Sequence, residues 1–340
     1  MNSGDEYNAW NPGLNSTIPS HLLPLITLFR PENGTVSYQQ AKEAADFCGS
    51  SAETLCRLSV KRLIVHEVLI RVTADLSVPD GPSYEYLGIS LRSMVGRICD
   101  QYVLPNLTDI TTEFDVIKNC AAEGINDRLD RDIFHRDKNR AKAGIFGFLR
   151  SKATAENDGN TLPEIGALAA WKAALPGLQG TAEGAYLSAL ITIVGGIIGQ
   201  QGRLVADRDL IVDLSLRLVM NNYGSREIGR IIRPMFNDAV VKEGYRFLPA
   251  QSHPIVMNTK GASASGKSTI RPQQRRLAEK INVKWEDFAL ISPDYWRKYL
   301  LDYETMGQDY KYAAMMTGHE LEIIDRKLDS YVAAKARQNN

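Results

Sequence analysis

The chain has only four cysteines among 340 residues, Cys48, Cys56, Cys99 and Cys120, with no CxxC pair and no metal-ligand spacing to a histidine. That argues against a disulfide frame or a cysteine-based metal centre, and for core thiols in a reducing, cytoplasmic setting. Net charge is lacking too: 40 Lys+Arg balance 40 Asp+Glu, so no overall field draws the protein to nucleic acid or to a membrane. The longest apolar stretch, AYLSALITIVGGIIG (Ala185–Gly199), is shorter than the roughly 20 residues that span a bilayer. It reads as a buried central helix, in which Gly195 and Gly196 admit a close neighbour or end its first part. The opening residues MNSGDEYNAW are acidic and polar, unlike a secretory leader. No internal repeat and no heptad run is found.

What is present is ample core material, 44% hydrophobic and 24% charged residues, enough for two domains. Residues 1–20 read as a flexible arm and 21–249 as a helical domain, with a loop at 150–163 around the polar ENDGNTLP (Glu156–Pro163). Helical periodicity runs over Ser37–Phe47, Glu53–Ala74, Tyr84–Tyr102, Thr111–Leu129, Glu164–Leu175, Ala182–Gly199, Leu204–Met220 and Arg226–Tyr245, the last bent or interrupted at Pro234. His66 sits in an apolar face and reads as a packing or surface histidine. Arg226, Arg230 and Arg233 share a helix face, either solvated or turned to a phosphate.

Near residue 250 the pattern changes. An apolar run, Ile255–Met257, enters GASASGKST (Gly261–Thr269), which carries the GxxxxGKS spacing of a phosphate-binding loop. Gly261 and Gly266 permit a turn whose amide N–H groups, with those of Ala262, Ser263, Ala264 and Ser265, point inward onto a phosphate. Lys267 reaches the β- and γ-phosphates of ATP, Ser268 holds Mg²⁺, and Thr269 opens the next helix. Pro272 falls inside that helix, close enough to its first turn to be tolerated.

A second apolar run, Phe288–Asp294, reads as another strand with Asp294 at its C-terminal edge, where ligands sit in open α/β sheets. A carboxylate there suits a general base for an acceptor hydroxyl. The alternative is that Ser292, Pro293 and Asp294 merely cap the following helix. Tyr295 and Trp296 are either core or a stacking wall for a ring-bearing substrate. The polar run Asp302–Lys311 reads as a substrate loop.

Taken together, GASASGKS, ISPDYWRKYLLDY and GHELEIIDRKL resemble the zeta-toxin and polynucleotide-kinase-like group of P-loop kinases, over about residues 253–336. The resemblance implies transfer of the γ-phosphoryl group of ATP to a hydroxyl of a nucleotide, nucleotide-sugar or nucleic-acid end. One effector branch phosphorylates NAD inside a host cell. On that resemblance Asp294 is the base, and Lys267 and Ser268 are the loop lysine and metal-binding hydroxyl. It also implies a partial α/β P-loop kinase-like domain over 250–340 following the mainly α-helical region. The family's further strand and lid arginines have no counterpart after Asp294, so a fragment of a longer protein is expected. Two functions compete: an ATP-dependent kinase acting on a nucleotide-type small molecule, and a helical protein-interaction or effector module whose nucleotide-binding part is not catalytic.

Overall fold

A computed structural model describes residues 18–83, 85–134, 162–251, 253–259 and 267–337. Among them the α-helices are, in order, α1 (Tyr38–Cys48), α2 (Val60–Asp75), α3 (Tyr86–Ile98), α4 (Leu107–Leu129), α5 (Pro163–Ala174), α6 (Ala182–Gln201), α7 (Arg208–Val219), α8 (Ser225–Ile231), α9 (Arg233–Lys242), α10 (Arg271–Lys280), α11 (Pro293–Leu300) and α12 (Ala313–Arg337). The chain divides into two compact units. One comprises Met1–Asn33, Ser59–Ile110 and Ile228–Asn340; the other comprises Gly34–Leu58 and Thr111–Glu227.

The α/β expectation for residues 250–340 is overturned. Among the described residues there is no β-strand, only two isolated bridges, Gly34 with Leu58 and Leu76 with Phe247. An extended run becomes a strand only when a neighbour takes its N–H and C=O groups. Among the described residues the run at Ile255–Met257 has no such neighbour, and Ile255 is 46% and Val256 85% exposed. Phe288–Ser292 likewise stays unpaired. The apolar residues that follow, Trp296, Leu300 and Leu301, are buried, and α11 packs on α3 and α12 instead of on a sheet.

In the first unit α2 is the central element. Every residue from Arg62 to Ala74 is buried, so the helix is enclosed on all sides rather than presenting one apolar stripe. Its N-terminus is set by Ser59, whose Oγ accepts the Arg62 N–H at 3.2 Å. That cap explains why the helix starts at Val60 and not at Glu53. Helices α3 and α12 pack against it. Leu63, Ile64, Leu69 and Val72 are fully enclosed, each worth about 1.5–3 kcal/mol of burial. Pro234 stands in the first turn of α9, where its missing N–H costs nothing, so the stretch read as one helix over Arg226–Tyr245 is two.

The second unit is built on α6. The helix runs through both glycines to Gln201 and stops at Gly202, whose φ of 77° is the left-handed cap. It is therefore longer than the apolar run suggested. By length and composition it could cross a membrane. It lies instead among α1, α5 and α7, with Leu187, Leu190, Ile193, Val194 and Ile197 fully buried. Gly196 is required by contact: a Cβ there would stand 2.1 Å from the Cys48 carbonyl oxygen. Ser37 opens α1 with a reciprocal box, its Oγ accepting from Gln40 N at 3.3 Å and its N–H donating to Gln40 Oε1 at 3.0 Å.

Candidate functional site

The glycine-framed loop Gly261–Gly266 and the side chains of Lys267 and Ser268 lie outside the described residues. The described structure fixes what flanks them. Lys267–Ile270 form a single 3-10 turn that passes into α10, and Thr269 is exposed. Pro272 is the second residue of α10, which begins at Arg271, so the proline lies in the first turn and does not kink the helix. Gln274 Nε2 donates to Thr259 Oγ1 at 2.7 Å. The bond joins the helix α10 to Thr259, the last described residue before the loop.

Two arginines of α10 set its position. Arg275 Nη2 donates to Asp80 Oδ1 at 2.7 Å, and the other oxygen of that carboxylate accepts from Trp285 Nε1 at 2.9 Å. Asp80 is buried, and a buried carboxylate is tolerated only when both oxygens are occupied in this way. Arg271 Nη2 donates to Tyr295 Oη at 2.6 Å, with its guanidinium 5.9 Å from the ring centre.

Tyr295 directly follows Asp294. Asp294 sits in the first turn of α11, and Ser292 holds the N-cap position in extended geometry without a side-chain capping bond. The Asp294 side chain is 81% exposed, and Arg297 Nη2 approaches it at 3.5 Å. Arg297 spends its other nitrogen on α12, donating to Thr317 Oγ1 at 2.8 Å and to the Ala314 carbonyl. Trp296 is fully buried and donates Nε1–H to Thr73 Oγ1 at 3.1 Å, so it belongs to the core and not to a stacking wall. In the Asp302–Lys311 run, 3-10 turns broken at Gly307 extend over Glu304–Tyr312, and Tyr303, Met306 and the following Tyr312 lie on the Leu301, Ala313 and Met316 cluster.

Sequence reasoning missed a buried polar network beneath α11. Glu320 of α12 is fully buried and grips Arg62 of α2 with both oxygens, at 2.6 Å from Nε and 2.7 Å from Nη2. The same guanidinium donates to the Leu300 carbonyl at the end of α11, at 3.0 Å. His66 Nε2 lies 2.7 Å from Glu320 Oε1, and Lys327 Nζ lies 3.1 Å from His66 Nδ1. A neutral imidazole with its proton on Nε2 satisfies both contacts. Burial, with Lys327 and Arg62 nearby, lowers the His66 pKa to about 4 against the opposing pull of Glu320. Burial alone would raise the Glu320 pKa; the Arg62 charge and the bonds from His66 and Arg62 outweigh it and hold the carboxyl far below its usual range. The available signal was Arg62 and His66, one turn apart on a helix whose charged residues Arg62, Glu67 and Arg71 stand among Leu63, Ile64, Val68 and Leu69.

Of the three arginines read on one face, Arg226 donates to the Gly180 carbonyl at 2.7 Å and lies over the Tyr223 ring. No family model, curated protein or solved structure matches the chain, so the candidate site stands on its own residues.

Proposed function

We propose that this chain is an ATP-dependent phosphotransferase acting on a hydroxyl of a nucleotide-type substrate, as the likeness to zeta-toxin and polynucleotide-kinase-like enzymes implies. The observation that carries the reading is the bond from Arg271 to Tyr295. It ties the helix that follows the GxxxxGKS segment to the turn that presents Asp294, which supports reading the two as parts of one site. In the proposal Lys267 meets the terminal phosphates and Asp294 takes the proton of the acceptor hydroxyl.

Among the described residues no three His, Cys, Asp or Glu side chains gather into a metal site. Mg²⁺ does not need one, because it keeps several waters and takes its other ligands from phosphates and one or two side chains. Ser268 is the residue that would hold it, and the ion would neutralise charge on the phosphates. Calorimetry of Mg-ATP binding tests the reading. Lys267→Ala should weaken binding at least tenfold, since it removes the point charge on the terminal phosphates; equal affinity in the two proteins would refute a working loop. The absence of a strand among the described residues favours the second reading, a helical protein-interaction module, and wild-type protein that binds no Mg-ATP would overturn the first.

A further inference from the structure

We propose that the outer face of α10 is a docking surface for an acidic amphipathic helix of a partner protein. That helix lays its apolar seam on Ile270, Leu277 and Ile281 and its carboxylates beside Arg276 and Lys280. The surface is argued from α10 itself and does not depend on the phosphotransferase reading.

Helix α10 is joined to its unit by a side that carries two arginines. Arg271 donates to Tyr295 Oη at 2.6 Å, Arg275 donates to Asp80 Oδ1 at 2.7 Å, and Ala278 on the same side is fully buried. At 3.6 residues per turn these three positions fall within about 60° of one another. The apolar residues point elsewhere. Ile270, Leu277 and Ile281 fall within about 40° of one another, on a line about 100° from the arginine side, and they are 43%, 50% and 42% exposed. Ile281 still belongs to the helical turn, because its N–H donates to the Leu277 carbonyl at 3.2 Å. An amphipathic helix ordinarily turns its apolar stripe to the core; α10 turns its arginines inward and leaves the stripe half open to water.

The width and the charge of the stripe say what covers it. Together with Gln274, the residues Ile270, Leu277 and Ile281 repeat at intervals of four, three and four, which is the a/d spacing that seats a second helix. A stripe only about 40° wide is such a seam, too narrow for the broad apolar face that a helix buries in a core or a lipid surface. On the edge of the seam away from the arginine side stand Gln273, Arg276 and Lys280, all exposed. Glu279 is the single carboxylate of α10, and it lies on the opposite face, about 180° from the seam. A covering helix therefore gains by bringing carboxylates to that edge. A second copy of this chain would meet α10 with α10 in an isologous pair and set the same cationic edges together, which the charge disfavours. Three half-exposed apolar side chains make a small seam, of the kind that serves weak, transient complexes.

The probe is a labelled synthetic peptide about three heptads long, with Leu at the a and d positions and Glu at the flanking e and g positions, whose like charges keep it from pairing with itself. The whole chain is titrated into it and binding is followed by fluorescence anisotropy. Saturable binding that weakens as salt rises is expected. Leu277→Ser should weaken it by about tenfold or more. Arg276→Glu combined with Lys280→Glu should weaken it as much, and should shift preference to a peptide carrying Lys in place of Glu. All three positions are exposed, so melting temperatures should stay within about 3 °C of wild type, which separates lost docking from lost fold. No binding of the Glu peptide, affinity unchanged by Leu277→Ser, or equal binding of the Glu and Lys peptides by wild type overturns the proposal. Co-sedimentation with phosphatidylserine and phosphatidylcholine vesicles that Leu277→Ser abolishes, with no peptide bound, assigns the face to lipid and overturns it. A dimer in sedimentation that Leu277→Ser dissolves assigns the face to a second copy and overturns it as well.

Discussion

Arg271 and Tyr295 are joined by a 2.6 Å bond from Nη2 to the phenol oxygen, and this contact couples α10, the helix that follows the GxxxxGKS segment, to α11, whose first turn presents Asp294. A hydrogen bond from a charged donor contributes about 1.5–3 kcal/mol when enclosed, and less where water reaches it. Removing the hydroxyl should therefore cost little stability while freeing the two helices to drift. Tyr295→Phe is expected to leave the melting temperature within about 3 °C of wild type and to lower phosphoryl transfer about tenfold, because small misplacements of reacting groups are expensive. Transfer at the wild-type rate would reduce the bond to local packing.

The Arg62, His66 and Glu320 network makes a prediction about pH. His66 has its pKa lowered to about 4 in the folded chain, against about 6.5 unfolded. The unfolded state thus binds more protons between those values, and stability rises with pH there. Glu320, also held low by Arg62 and His66, acts in the same direction below the ordinary glutamate range. Stability should be full above about pH 6.5 and should decline toward pH 4, with a slope approaching 1.4 kcal/mol per pH unit for the single histidine proton. Denaturant unfolding across that window is the measurement. His66→Gln should flatten the slope between pH 6.5 and 4; an unchanged slope assigns it to other groups. Glu320→Gln should cost about 3–5 kcal/mol at pH 7 by leaving Arg62 buried without its charge partner.

The helices were legible where one residue decides the local geometry. Pro272, expected close enough to a first turn to be tolerated, lies in the first turn of α10, whereas Pro234, expected to bend or interrupt one helix, opens a separate one in its first turn. The α/β reading failed because it rested on short apolar runs, which carry no periodicity able to separate a strand from an unpaired segment. Whether Ile255–Met257 pairs depends on a neighbour that no local pattern reveals. The buried network was hidden for a different reason. Arg62 and Glu320 are far apart in sequence, and each taken alone has the composition of a surface residue; only the packing of α12 on α2 brings them together.

Asp294 is where chemistry and helix capping can be separated. It occupies the first turn of α11, where a negative charge favours the helix N-terminus by about 0.3–1 kcal/mol, and Ser292 holds the N-cap position. Asp294→Asn keeps the shape of the side chain and removes its ability to accept a proton. As a general base, Asp294 would be worth about two orders of magnitude or more in turnover. The expected result is therefore a loss of at least that size, with Mg-ATP affinity unchanged and the melting temperature shifted only by the lost dipole interaction. Turnover should be followed with NAD, nucleotide-sugars and 5'-hydroxyl oligonucleotides as acceptors, each variant paired with a melting curve. If Asp294→Asn keeps turnover within threefold of wild type on the best acceptor, the carboxylate is only a charge at a helix end, and the base must be sought elsewhere.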